Sequence, residues 1–148
     1  SPAVYHQPSL SAIGVACHEA GHALQHVQGY AALKMRSALV PVTGITNSIS
    51  MPLIMAGAIL NFKLLLLIGT ILFAGAIILS LVTLPVEWDA SARAKKLMVS
   101  SGIVSESERN AAGKVLNAAF LTYLASTVTA IFTLLFYLTR SGLIGRRR

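Results

Sequence analysis

The chain has 148 residues, 55% of them hydrophobic and 11% charged, with a mean hydropathy of +0.70 and a net charge of +7. Soluble domains carry about 25% charged residues, so the composition excludes a water-exposed globule, and its apolar content excludes a disordered chain. The single Cys17 excludes an intrachain disulfide scaffold.

In chain order, Ser1 opens a lead with Pro2 and Pro8 and no signal-peptide pattern, which reads as an N-terminally truncated chain. A helix is predicted over 9–28, with Gly29 in the left-handed conformation that commonly ends helices. Three stretches without a charged residue follow, at 37–62, 64–86 and 115–139. Each reaches the roughly 20 residues that a spanning helix needs. The first contains Pro41, Pro52 and a polar patch (Thr43, Thr46, Asn47, Ser48, Ser50). That composition suits a kinked helix facing protein rather than lipid. Between the second and third spans, 87–114 reads as two helices. One runs from Asp89 to Val99 and stops near Gly102. The next starts at Ser105, where Glu108 three residues on completes a capping box, and runs on into the third span. The expected architecture is a single all-α domain over 1–148: an integral membrane helical bundle with about three transmembrane helices.

Two spans separate 1–36 from 87–114, so those segments fall on one face of the membrane. Seven of the twelve basic residues lie there and five on the other face, with the link at Lys63 and the tail Arg140, Arg146, Arg147 and Arg148. The positive-inside rule then points to a cytoplasmic first face. Scattered between apolar runs, these cations suit lipid headgroups, and no basic face interleaved with aromatics suggests nucleic acid.

The chemistry-bearing pattern is His18-Glu19-Ala20-Gly21-His22, an H-E-x-x-H motif. On a helix, residues i and i+4 share one face about 6 Å apart. Two imidazoles there can ligate one Zn²⁺, while Glu19 can take a proton from the attacking water as general base. Small Ala20 and Gly21 let another element approach. A third protein ligand is required. His26 lies eight residues from His18, about 12 Å along a straight helix, so it is read as a surface or ligand-orienting residue. Glu87 and Asp89 return to the face of the motif after two spans. Carboxylates at a membrane boundary are costly and usually functional. Glu87, with the longer reach, is taken as the ligand and Asp89 as the group that orients a ligand histidine.

The runs 11–25, 29–30, 36–42 and 84–94 resemble the YugP-type membrane zinc metallopeptidases of bacteria. The resemblance covers most of the chain to about residue 100. It implies a membrane-embedded, gluzincin-like protease of the bacterial plasma membrane, with Zn²⁺ as cofactor and membrane-proximal proteins or peptides as substrates. The step Glu87, Trp88, Ala90 is also similar to the ligand helix of HtpX-like proteases. There an Asp stands four residues after the ligand Glu. Here that position is Ser91, which leaves Asp89 as the substitute carboxylate.

Cys17 and Arg93 read as packing and snorkelling residues and Trp88 as an interfacial anchor. Tyr5, Tyr30 and Tyr123 are candidate oxyanion donors. An ATP-dependent protease of the FtsH kind shares His-Glu-Ala-Gly-His, but no phosphate-binding G-x-x-x-x-G-K-[ST] loop occurs. The non-enzyme alternative is a membrane protein with a structural or regulatory metal site. It would place ionisable residues within the spans, and the sequence has none there.

Overall fold

The computed structural model describes residues 9–144; Pro2, Tyr5, Pro8 and Arg146, Arg147 and Arg148 lie outside them. Among the described residues the fold is all-α, with four helices and no strand: α1 (Leu10–Val27), α2 (Ala31–Ile59), α3 (Lys63–Ser100) and α4 (Glu106–Ser141). Ser9 caps α1, its hydroxyl accepting from Ala12 N at 3.2 Å. Gly29 has φ +65°, the left-handed region that lets the chain leave α1. Before α4, Ser105 N donates to Glu108 Oε2 at 2.9 Å and Glu108 N donates to Ser105 Oγ at 3.3 Å, the reciprocal pair of a capping box.

Three helices, α2, α3 and α4, are long and apolar enough to cross a membrane. Large apolar side chains stand exposed along all three, among them Ile45, Ile71 and Phe132. A soluble surface would not carry so many, and lipid would cover them.

The structure differs from the sequence expectation in the second span. The span over 64–86 and the helix from Asp89 to Val99 are one continuous helix of 38 residues that passes through Pro85. At 1.5 Å per residue α3 is about 57 Å long, nearly twice a hydrocarbon core. A proline lacks one backbone donor, which local adjustment in a spanning helix tolerates. Glu87 is therefore a mid-helix residue and not part of an interfacial loop. In the first span, Pro41 and Pro52 also lie inside a single helix. Part of its polar patch is satisfied by the helix itself: Thr43 Oγ1 donates to Leu39 O at 2.9 Å and Ser48 Oγ to Ile45 O at 2.8 Å.

Contacts group the chain into two compact units. The first comprises 1–34 and 83–124. It thus joins the two segments expected on one face, around a core of Cys17, Ala94, Met98, Val104, Ala112 and Leu116. Burial raises the Cys17 thiol above its ordinary value, which fits its packing role. The second unit comprises 35–82 and 125–148. Within it α2 and α3 form an antiparallel hairpin through 60–62, where Asn61 has φ +52°. Small residues bring these helices into backbone contact at Gly57 and Gly69, the usual device where lipid supplies no hydrophobic drive.

A methyl group on Gly69 would stand 2.8 Å from Ile54 N and 2.9 Å from Ser50 O, whereas one on Gly44 meets nothing within 4 Å. Gly69→Ala is expected to destabilise the hairpin by about 1–3 kcal/mol through overpacking. Gly44→Ala should stabilise α2 by about 0.5–1 kcal/mol. Unfolding midpoints in detergent check both, and equal midpoints for the two variants would contradict the packing.

Candidate metal centre

The site is built where α1 crosses α3 in the first unit. The crossing depends on Gly21, one residue before His22. A methyl group there would lie 2.5 Å from Ala90 O and 3.1 Å from Ala90 C, so only glycine admits this approach. Ala90 itself has no exposed surface. With the backbones this close, His18 and His22 on α1 face Glu87 on α3.

His18 Nε2 lies 3.1 Å and His22 Nε2 3.6 Å from Glu87 Oε2. The ligand atoms of the three residues all fall within 4.8 Å of one another. Glu87 is 2% exposed. Hydrogen bonding to the Glu87 carboxylate raises the His22 imidazole above its ordinary value, against the opposing effect of burial. Three electron-pair donors converging on one point repel unless a proton or a cation lies among them. Donors on a tetrahedral zinc, at bonds of about 2.0–2.1 Å, stand about 3.3–3.4 Å apart. The distances of 3.1 and 3.6 Å bracket that spacing, and two imidazoles with one carboxylate are a zinc donor set. The residues fit a divalent zinc ion.

Glu19 is outside this cluster and exposed. The two carboxylates nearest the histidines are thereby separated by environment: one is buried and convergent, the other faces solvent beside the first histidine. His26 is exposed on the last turn of α1 and does not join the cluster. It stands another 6 Å or so beyond His22 along the helix, which matches the surface alternative of its two readings rather than the ligand-orienting one.

The groups that orient the histidines are Gln25 and Ser91, which sequence reasoning had not assigned. Gln25 has no exposed surface. Its Nε2 donates to Val86 O at 2.8 Å and to Asp89 Oδ2 at 2.8 Å. Both of those partners can only accept, which fixes the amide orientation. Gln25 Oε1, 3.0 Å from His22 Nδ1, must then accept the proton of that nitrogen. In the neutral ring Nε2 then carries the lone pair, the tautomer a metal requires, and only the protonated ring donates Nε2–H to Glu87. Asp89 therefore acts on His22 through Gln25, not directly. Ser91 Oγ lies 3.2 Å from His18 Nδ1 and can hold that ring in the matching tautomer. A hydroxyl thus occupies the role that the HtpX-like pattern gives to a carboxylate. The signal for Gln25 was an amide three residues after His22, on the same helix face as both histidines.

Arg93 does not snorkel. Its Nε donates to Asp89 Oδ2 at 2.5 Å, its Nη1 donates to Gln28 Oε1, and its guanidinium lies 5.8 Å from the Tyr30 ring centroid. The chain Arg93, Asp89, Gln25, His22 is continuous from the surface to the cluster. Tyr30 is engaged in it by its ring face, and Tyr123 is an exposed residue of α4.

The family model described as "Putative neutral zinc metallopeptidase" matches residues 1–142. "Putative membrane protease YugP" of Bacillus subtilis (strain 168) is 44% identical over 135 residues, covering 91% of this chain and 60% of that protein. The chain thus spans about three fifths of the length of this curated relative. No solved structure matches it significantly.

Replacing Gln25 with Leu keeps the volume but frees His22 to rotate and change tautomer. Metal affinity is expected to fall about 10–100-fold, as for other changes behind a ligand histidine. Competition with a chelating dye measures it, and an unchanged affinity would remove Gln25 from the site.

Proposed function

The chain belongs to the neutral zinc metallopeptidase family, and from that premise we propose that it is a zinc-dependent endopeptidase acting on membrane-associated or membrane-proximal proteins. The observation that carries this reading is the convergence of His18, His22 and Glu87 with Glu19 left exposed beside them. His18, His22 and Glu87 would hold the ion. When bound, zinc supplies a Lewis acid that polarises the scissile carbonyl and makes water nucleophilic near neutral pH.

The remaining work falls to the chain's own groups. Glu19 takes the proton of the attacking water on its carboxylate and returns it to the leaving amine nitrogen. Its exposure suits this role, since a proton-transfer group must reach both water and substrate. Glu87, buried and shared between two imidazoles, is unsuited to it. Gln25 and Ser91 keep both ring Nε2 atoms directed at the centre. The H-E-x-x-H helix and Glu87 sit in one unit, built from the two segments that flank the first two spans, and this grouping supports chemistry carried out near the membrane boundary. The distribution of basic residues supports a cytoplasmic face for this unit.

Glu19→Gln is expected to retain the metal and to lose about 100-fold or more of proteolytic activity, the usual worth of a positioned general base. Glu87→Ala should lose most of the bound metal. Metal analysis and casein digestion on the two purified variants separate the roles. Full activity in metal-loaded Glu19→Gln would overturn the mechanism. A metal-loaded parent protein with no hydrolysis would favour a structural or regulatory metal site instead.

A further inference from the structure

A second concavity lies in the first unit, between α3 and α4, with a volume of about 270 Å³. We propose that it binds the headgroup of an anionic phospholipid. Its chemistry changes in one direction along the two helices. At one end the Trp88 ring meets the Phe120 ring edge to face, with centroids 5.2 Å apart. Seven residues further along α3, Lys95 Nζ donates to Asn117 Oδ1 at 2.7 Å, and the Lys95 stem lies against Gly113. The two helices therefore run antiparallel here. Moving along α3 away from the apolar stretch 64–86 is also moving along α4 toward and beyond the start of 115–139.

The aromatic end thus sits where both apolar stretches end. The other end, about 10 Å away along the helix, carries Lys95, Lys96 and Arg109. Among the described residues, no acidic side chain lines the cavity. Lys95 spends one of its three ammonium protons on Asn117, whose amide NH₂ is then directed to donate. Arg109 pairs with Glu106 at 2.6 Å, but both are exposed; such a pair is weak and leaves guanidinium donors for another anion.

Cations alone would suit any anion. An apolar aromatic end at the bilayer boundary, leading outward to three cations, matches the order of acyl chain, glycerol and phosphate in a lipid. Basic pockets between spanning helices bind acidic headgroups on this ground. Ser91, which lines the cavity, is also the residue that holds His18 Nδ1, so an occupant would touch a group that orients the metal centre. The assignment does not depend on peptidase activity.

Trp88 is the single tryptophan of the chain and lies in the cavity wall, so its fluorescence reports occupancy directly. The protein is reconstituted in phosphatidylcholine vesicles containing a matched series of mole fractions of either brominated phosphatidylglycerol or brominated phosphatidylcholine. Brominated phosphatidylglycerol is expected to quench at lower mole fraction. Lys96→Gln and Arg109→Gln should each reduce that preference about fivefold, while Lys114→Gln, an exposed cation outside the cavity, should leave it unchanged. Inorganic phosphate at millimolar concentration should not relieve the quenching. Equal quenching by the two lipids overturns the proposal whatever the variants do. So does a preference that survives both cavity substitutions or falls equally with Lys114→Gln. Relief by free phosphate would reassign the cavity to a soluble phosphate compound, and relief by an acidic peptide would reassign it to a protein ligand.

Discussion

A buried carboxylate governs the first unit. Glu87 is 2% exposed at the point where an apolar stretch of α3 ends. An anion taken out of water there is strongly disfavoured unless hydrogen bonds or cations compensate it. The compensation comes from α1, whose two histidines lie one turn apart and both turn Nε2 toward the same carboxylate oxygen. That arrangement needs α1 closer to α3 than ordinary side chains permit, and Gly21 against Ala90 supplies the closeness. The glycine inside the motif is therefore as much a part of the site as the residues with donor atoms. Larger side chains would separate the helices and leave Glu87 buried without its partners.

The outer layer follows from the same constraint. An imidazole can present Nε2 to a metal only if Nδ1 has somewhere to place its proton. The two histidines solve this differently because they face different parts of α3. His18 meets a hydroxyl, Ser91, one turn beyond Glu87. His22 meets Gln25 from its own helix, and Gln25 is held in turn by Val86 O and Asp89. Asp89 is fixed by Arg93, four residues along α3. A carboxylate pinned in this way polarises the amide and raises the basicity of the distal imidazole nitrogen. Its charge is balanced locally by the guanidinium, so it adds little repulsion to Glu87.

How much of this could be read from the sequence depended on whether the signal was local. The H-E-x-x-H helix, its end at Gly29 and the capping box at Ser105 are short-range patterns, and the structure shows each where spacing and side-chain chemistry place them. Glu87 stood out because acidic residues are so few, five in the chain. The continuity of α3 through Pro85 was not legible. A proline between an apolar run and a charged run reads as a boundary, whereas α3 continues through it. Gln25 and Arg93 were missed for a related reason. Each has an ordinary solvent-facing or lipid-facing reading on its own helix; Gln25 takes its role from partners more than sixty residues away in the chain, and Arg93 takes its role through Asp89, which Gln25 joins to the site.

The unbroken α3 has a further consequence. Successive residues on a helix point about 100° apart, so one turn of α3 can serve two neighbours. Glu87 faces α1 and its histidines, while Trp88, the next residue, faces α4 and Phe120. Ser91 belongs to both sides, since it bonds His18 and lines the cavity against α4.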